Sequence, residues 1–226
     1  MKSATCSSRH DKPVPIRRGA FSLWLKVPYT LFVCVQIPAY WVYHGPANFL
    51  WGSDIALILI CFALWTESRL LASMMALAVL LVESFWTVDF MLRLVFGPDA
   101  LPYIGTRYMF NPETPLTVRS LSLFHAALPV IGVWMVYRLG YRKKALLYQT
   151  LFAWLILPIT YAVTDPSASI NWVYGFGPEP QTAVPGPLFV AFLMVAIPLV
   201  LYLPAHLMLK RWFPAPLRVA QVGMRS

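Results

Sequence analysis

Six apolar runs, each close to a membrane thickness in length, divide this chain, and no other feature narrows its possible folds so far. They fall at approximately 22–43, 48–66, 70–96, 118–137, 145–164 and 187–209. A run of ~20 apolar residues crosses a ~30 Å hydrocarbon core as a helix, whose backbone satisfies its own hydrogen bonds. Composition agrees: 59% of the 226 residues are hydrophobic and 12% are charged, against about 25% charged in soluble chains. The expected fold class is all-α, a polytopic membrane protein of six transmembrane helices with both termini cytoplasmic. The helical domain occupies roughly residues 22–209, between basic tails at about 1–21 and 210–226. Pro28 and Pro38 in the first run predict a kinked or irregular helix, and Pro129, Pro158, Pro198 and Pro204 predict later bends. The third run is over-long, so it is expected to tilt or to emerge as a short helix.

Orientation follows from the basic residues. Lys2, Arg9, Lys12, Arg17, Arg18 and Lys26 precede or open the first run, and Arg69 sits after the second. Arg138, Arg142, Lys143 and Lys144 join runs four and five, and Lys210, Arg211, Arg218 and Arg225 follow the last. The alternate connections hold only Arg107 and Arg119. An even number of spans places every dense cluster on one side, the cytoplasmic one. The net charge of +9 is thus read as loops beside anionic lipid rather than as a nucleic-acid surface. The first run lacks a small-x-small cleavage pattern, so it reads as a retained helix. The expected location is a bacterial inner (plasma) membrane or an endomembrane.

Two long outer connections, at roughly 97–117 and 165–186, are rich in Pro and Gly and read as compact loops, either lids or simple connectors. Of the three cysteines, Cys34 and Cys61 lie in apolar runs and Cys6 in the basic tail. No CxxC spacing suggests zinc or a disulfide framework, and no internal repeat suggests an inverted-repeat transporter.

Ionisable groups at membrane depth are expensive and face a partner or a cavity. Ser53 and Asp54 open the second run, Glu83, Asp89 and Arg93 occupy the third, His125 the fourth, and Asp165, Asn171 and Trp172 follow the fifth. At ~1.5 Å per residue, Ser53 and Asp54 lie roughly 5–9 Å below the outer boundary, His125 and Asp89 near 10–12 Å, and Glu83 deeper. Polar groups of several helices therefore share a level in the outer leaflet, which predicts a common pocket. Each also has a structural reading. Asp89 and Arg93, at i, i+4, form an ion pair; Asp54 stabilises a helix start; Glu83 is protonated and bridges helices; His125 bridges helices. His125 and His206 fall in opposite leaflets, which excludes a haem held by both, and no spacing suggests a di-iron site. No metal or other cofactor is expected. Trp41, Trp51, Trp65, Tyr141, Trp172 and Trp212 fit interfacial belts, whereas Trp86 is deep enough to line a cavity.

Two stretches, Asn48-Phe49-Leu50-Trp51-Gly52-Ser53-Asp54 and His125-Ala126-Ala127-Leu128-Pro129, resemble motifs of the androgen-induced-gene/ADTRP family of six-helix membrane proteins. Some members of that family hydrolyse fatty-acid esters of hydroxy fatty acids. Asn171-Trp172-Val173-Tyr174 with Gly175 and Gly177 resembles the aromatic and glycine-rich segment before the family's last helix. The likeness extends over roughly residues 45–205. Aligned on the aspartate, Trp51 stands where the family has its nucleophilic threonine, and Ser53 is two residues later; the nucleophile does not carry over, while the histidine does. The resemblance implies a membrane-embedded lipid-ester hydrolase or acyl transferase. Ser53 would be the nucleophile and His125 its base, with Asp54 or Asp89 orienting the imidazole. Arg93 would hold a carboxylate or phosphate head group, and Glu83, Trp86, Asn171 and Trp172 would contact substrate.

Two other readings stay open. One is a non-catalytic lipid- or quinone-binding subunit of a larger membrane complex, favoured by the missing threonine. The other is a small transporter using Glu83 and Asp89. Membrane lipids are the expected partners in each case, together with membrane-complex subunits in the second, and nucleic acid in none.

Overall fold

A computed structural model describes residues 20–99, 105–177 and 179–214. The basic tail residues before Ala20 and after Pro214, Cys6, Pro102 and Pro178 lie outside them. Among the described residues every regular element is helical. In chain order these are α1 (Leu23–His44), α2 (Gly52–Thr66), α3 (Arg69–Phe96), α4 (Leu116–Leu121), α5 (Phe124–Leu139), α6 (Ala145–Val163), α7 (Gly186–Ile197) and α8 (Leu203–Trp212), with short 3-10 turns between several of them. Four segments are long and apolar enough to cross a membrane: Arg69–Phe96, Leu116–Leu139, Ala145–Val163 and Gly186–Trp212. The other two apolar runs are also helices, but α2 has only 15 residues, because the first part of its run is wound as a 3-10 turn at Pro46–Leu50. α1 has the length, but its apolar run includes Lys26 and Gln36, both buried against the bundle.

Ser22 caps α1 by accepting from the Trp24 amide at 3.2 Å. The helix continues through Pro28 and Pro38 without interruption. Irregular backbone appears instead at Pro198, where a π turn (Pro198–Tyr202) links α7 to α8. A proline cannot donate to the carbonyl four residues back. At Pro198 that carbonyl belongs to Met194, and the Trp154 indole N–H of α6 donates to it at 2.7 Å. α3 is one continuous helix of 28 residues, so the over-long run does not break.

α3 is the centre of the bundle and packs against α2, α5, α6 and α8. Its approach to α5 is set by Gly132: a Cβ there would stand 3.3 Å from the Ala76 Cα. Small residues let membrane helices come this close, and dispersion then replaces a hydrophobic drive that lipid cannot supply. One core cluster fills the space among α1, α2, α3 and α5 around Leu57, Ile60, Met75 and Leu128. A second joins α3, α5, α6 and α8 through Ala76, Val136, Ala145 and Leu209. A third packs Leu157 of α6 on Val173, Val190 and Leu193. The outward faces carry Leu31, Val42, Val130, Leu155, Val195 and Val200, all exposed, as a surface bathed in lipid requires.

One end of the bundle is tied by polar contacts. Lys26 Nζ pairs with Glu67 Oε1 at 2.9 Å, and Glu67 also accepts from the Ala20 amide at 3.2 Å. Arg69 donates to the Gly140 and Tyr141 carbonyls at 3.0 and 2.7 Å. His206 Nδ1 meets Tyr141 Oη at 2.7 Å, which fixes it at this end, away from His125.

Candidate functional site

α2 begins abruptly at Gly52 because its start is clamped by the α6–α7 connection. The Gly52 amide donates to Asn171 Oδ1 at 2.9 Å, and Asn171 Nδ2 donates to the Leu50 carbonyl at 2.7 Å and to Thr160 Oγ1 at 3.3 Å. Both amide hydrogens of Asn171 are therefore spent on the scaffold. The turn that delivers it is left-handed at three of four consecutive residues: Ser169, Asn171 and Trp172 have φ of 39°, 53° and 60°. Asn tolerates this region; for a bulky Trp it is strained. Trp172 is kept there edge-on to Trp51, with ring centroids 6.3 Å apart.

The clamp helps enclose a cavity of about 680 Å³. Seven of the side chains singled out from sequence line it: Ser53, Asp54, Glu83, Trp86, His125, Asn171 and Trp172. Its walls also include Ala78, Val82, Phe152, Ile156 and Leu201, so polar groups are set into a largely apolar enclosure. That is the usual form of a small-molecule site.

His125 is held from three sides. Its Nδ1 lies 2.6 Å from Glu83 Oε2, across α3 and α5, and its ring lies against those of Trp86 and Phe124, with centroids 4.7 and 4.2 Å away. A carboxylate at Nδ1 sets the tautomer and leaves Nε2 to face the cavity. The partner of the imidazole is thus Glu83, in place of the Asp54 or Asp89 expected from sequence. Asp54 is buried and occupied: it accepts from Gln36 Nε2 at 3.0 Å and from Asn48 Nδ2 at 3.2 Å. Ser53 Oγ makes no hydrogen bond to His125 or to another described residue, although both side chains line the same space.

Asp89 and Arg93 stand apart from this group and do not line the cavity. They form a buried i, i+4 pair, Nε to Oδ2 at 3.1 Å. Asp89 also accepts from the Thr106 amide at 3.2 Å and from its hydroxyl, and Arg93 donates to the Pro98 carbonyl. The physical reason is local: α3 ends at Phe96, and the pair catches the chain on both sides of the outer connection. Arg93 is therefore a brace, with its guanidinium enclosed by the protein, rather than a head-group ligand. Asp165 is likewise used locally, as the cap of a 3-10 turn; hydrogen bonds from Ser167 hold its carboxyl below the usual range.

The braced connection carries Tyr108 into the cavity wall, where burial pushes its phenol up to about 12. It stays a neutral donor at any working pH. Ser122 Oγ and Tyr40 Oη, 2.6 Å apart, complete this end. Tyr40, Tyr108, Ser122, Gln149 and Tyr202 also line the cavity and were not singled out from sequence, where charged groups and motif residues drew the weight. The visible signal was Gln36 and Tyr40 at i, i+4 on an otherwise apolar helix, and Gln149 alone within another.

Among the described residues no group of three or more His, Cys, Asp or Glu side chains is placed to hold a metal ion. Compared with known proteins, the chain matches no family model, no curated protein and no solved structure.

Proposed function

We propose that this protein is a membrane-embedded lipid-ester hydrolase or acyl transferase, with His125 as its base and Glu83 as the carboxylate that orients it. The observation that carries the proposal is the 2.6 Å His125–Glu83 contact opening onto a mostly apolar cavity that Ser53 shares. A carboxylate–imidazole pair removes a proton from a hydroxyl and later returns it to the leaving group. Ser53 Oγ attacks the ester carbonyl as His125 Nε2 takes its proton. The tetrahedral intermediate then expels the alcohol, which leaves with that proton. Water, activated in the same way, releases the acid; a second alcohol would complete a transfer instead. Tyr108, whose phenol lines this end, is the hydroxyl donor for the developing oxyanion.

The proposal includes a topology of six spans with both ends cytoplasmic. It is supported by the placement of Lys26, Arg69, Arg142–Lys144 and Lys210 at one end of the helices that contain or adjoin them, as the positive-inside rule requires. α2 alone reaches only about 22 Å at ~1.5 Å per residue, and the 3-10 turn before it makes up part of the difference. In this orientation the His125 end of the cavity lies toward the non-cytoplasmic leaflet, within reach of lipid.

A second reading, a non-catalytic lipid-binding subunit, is favoured by the absence of a Ser53–His125 hydrogen bond. The transporter reading loses one of its two groups, since Asp89 is held by Arg93 and Thr106. Purified protein assayed on a panel of lipid esters separates these. Hydrolysis abolished in His125→Ala and lowered at least a hundredfold in Ser53→Ala supports the full mechanism. Full turnover in Ser53→Ala would transfer the attack to water, and no turnover by the wild-type protein on any ester leaves the subunit reading.

A further inference from the structure

The wall of the cavity carries acids without strong bases. Among the described residues that line it are two carboxylates, Asp54 and Glu83, and two imidazoles, His44 and His125, but no Lys or Arg. The basic residues of the same half are engaged elsewhere. Arg93 holds Asp89 and the Pro98 carbonyl, Arg107 pairs with Asp99 at 2.8 Å, and Arg119 donates to the Met109 carbonyl at 3.0 Å. Asp54 accepts amide N–H donors on both oxygens, as an acceptor-only carboxylate does. His44 is exposed and sits at the rim. With His125 counted as an imidazolium, two carboxylates against one cation still leave the interior negative.

The same wall is aromatic. Tyr40 and Tyr108 lie within electrostatic range of Asp54, and Trp86 lies against the imidazole that Glu83 holds. Trp51 and Trp172 meet at 81° with centroids 6.3 Å apart, so two indoles form a corner beside the start of α2. Trp172 is kept in that corner at a φ of 60°, which a bulky residue adopts only under constraint. Ring faces carry the negative part of the aromatic quadrupole and attract a cation. A carboxylate acts in the same sense without touching the ligand, because charge reaches far in a low dielectric. An anionic group would meet repulsion here and find no guanidinium or ammonium to pair with. Beyond the acids the lining is Ala78, Val82, Phe152 and Ile156, which suits an alkyl chain.

We infer that the cavity binds an amphiphile with one ammonium or quaternary ammonium group on an alkyl chain. The cation lies among Asp54, Glu83 and the tryptophan corner, and the chain lies along the apolar wall. The site itself stands on the make-up of that wall. Only its extension to a substrate, an ester whose alcohol bears the ammonium, rests on the hydrolase reading.

The test uses the purified full chain in uncharged maltoside micelles and a dansyl-labelled alkyltrimethylammonium as the probe. Decyltrimethylammonium, decanol and decanoate, matched in chain and kept below their micelle-forming concentrations, compete for it. The wild-type protein is expected to bind the ammonium roughly tenfold more tightly than the alcohol, and decanoate most weakly. Glu83→Gln is expected to weaken the ammonium by about fivefold or more and to leave decanol unchanged, which also reports that the variant is folded. No displaceable binding of the probe, equal affinity for ammonium and alcohol, or a preference that survives Glu83→Gln undiminished overturns the site. Tighter binding of a short-chain phosphatidylcholine than of decyltrimethylammonium would replace the simple ammonium by a phospholipid head group. Ester turnover is measured separately. Ammonium preference without turnover removes the hydrolase reading alone, and turnover without preference removes this site alone.

Discussion

His125 is useful only in the company that Glu83, Trp86 and Phe124 give it. The two aromatic rings fix the plane of the imidazole, and the carboxylate fixes which nitrogen is left for chemistry. Glu83→Gln keeps the shape of the contact and withdraws the negative charge that stabilises an imidazolium. Ester turnover is expected to fall by about 10²–10⁴-fold, with the yield of folded protein unchanged; an unaltered kcat would remove Glu83 from the mechanism. Asp54 answers differently, since both of its oxygens accept from side-chain amides. In Asp54→Asn one NH₂ must face another, leaving donors unpaired at about 1–3 kcal/mol. The expected result is a lower melting temperature in detergent, and an undiminished one would show that these amides find other partners.

At the scale of elements, the close pairing of α3 with α5 holds the two halves of the His125–Glu83 contact. Gly132 is its weak point, with Ala76 and Val79 already at contact distance from any added Cβ. Gly132→Val is expected to push the helices apart, destabilising by roughly 1–3 kcal/mol and lowering turnover together with stability. Loss of neither would mean that α3 and α5 can part at Gly132 without cost. The Asp89–Arg93 brace makes a sharper contrast. Arg93→Met alone leaves a buried carboxylate uncompensated, at about 3–5 kcal/mol, whereas Asp89→Leu with Arg93→Met removes both charges and costs much less. Melting of the single and double variants measures this, and a double variant no better than the single would count against a purely paired role.

For the whole molecule the decisive quantity is the number of crossings. With the native cysteines replaced, Ser167→Cys is expected to react with an impermeant maleimide on intact cells. Lys144→Cys is expected to react only after permeabilisation, since α6 separates the two. Labelling of both from outside would defeat the proposed orientation. On the proposed function, turnover is expected to depend on lipid access, because the outer faces carry apolar side chains and a long-chain ester would enter the cavity from within the bilayer.

Length and hydropathy by themselves determined where the helices lie. Each of the six runs is helical, most of them within a few residues of the expected bounds, because a backbone in hydrocarbon has no other way to satisfy its polar groups. That polar groups of several helices gather near one level was also legible, being arithmetic on helical rise, although the same arithmetic put Asp89 level with His125 and Glu83 deeper. Facing and pairing were not. Which carboxylate reaches His125 depends on the rotation of α3 against α5, and that is decided by packing at Gly132, Ala76 and Val79. Asp89 has the same depth as His125 on paper, yet it turns to Thr106 and Arg93, where the returning outer connection supplies partners. Gln149 and Tyr202, uncharged and lost among apolar neighbours in the sequence, became visible only when the fold placed them across one cavity. A one-dimensional pattern sets how deep a side chain sits. Only the tertiary structure decides what it looks at, because small rotations of packed helices separate one neighbour from another.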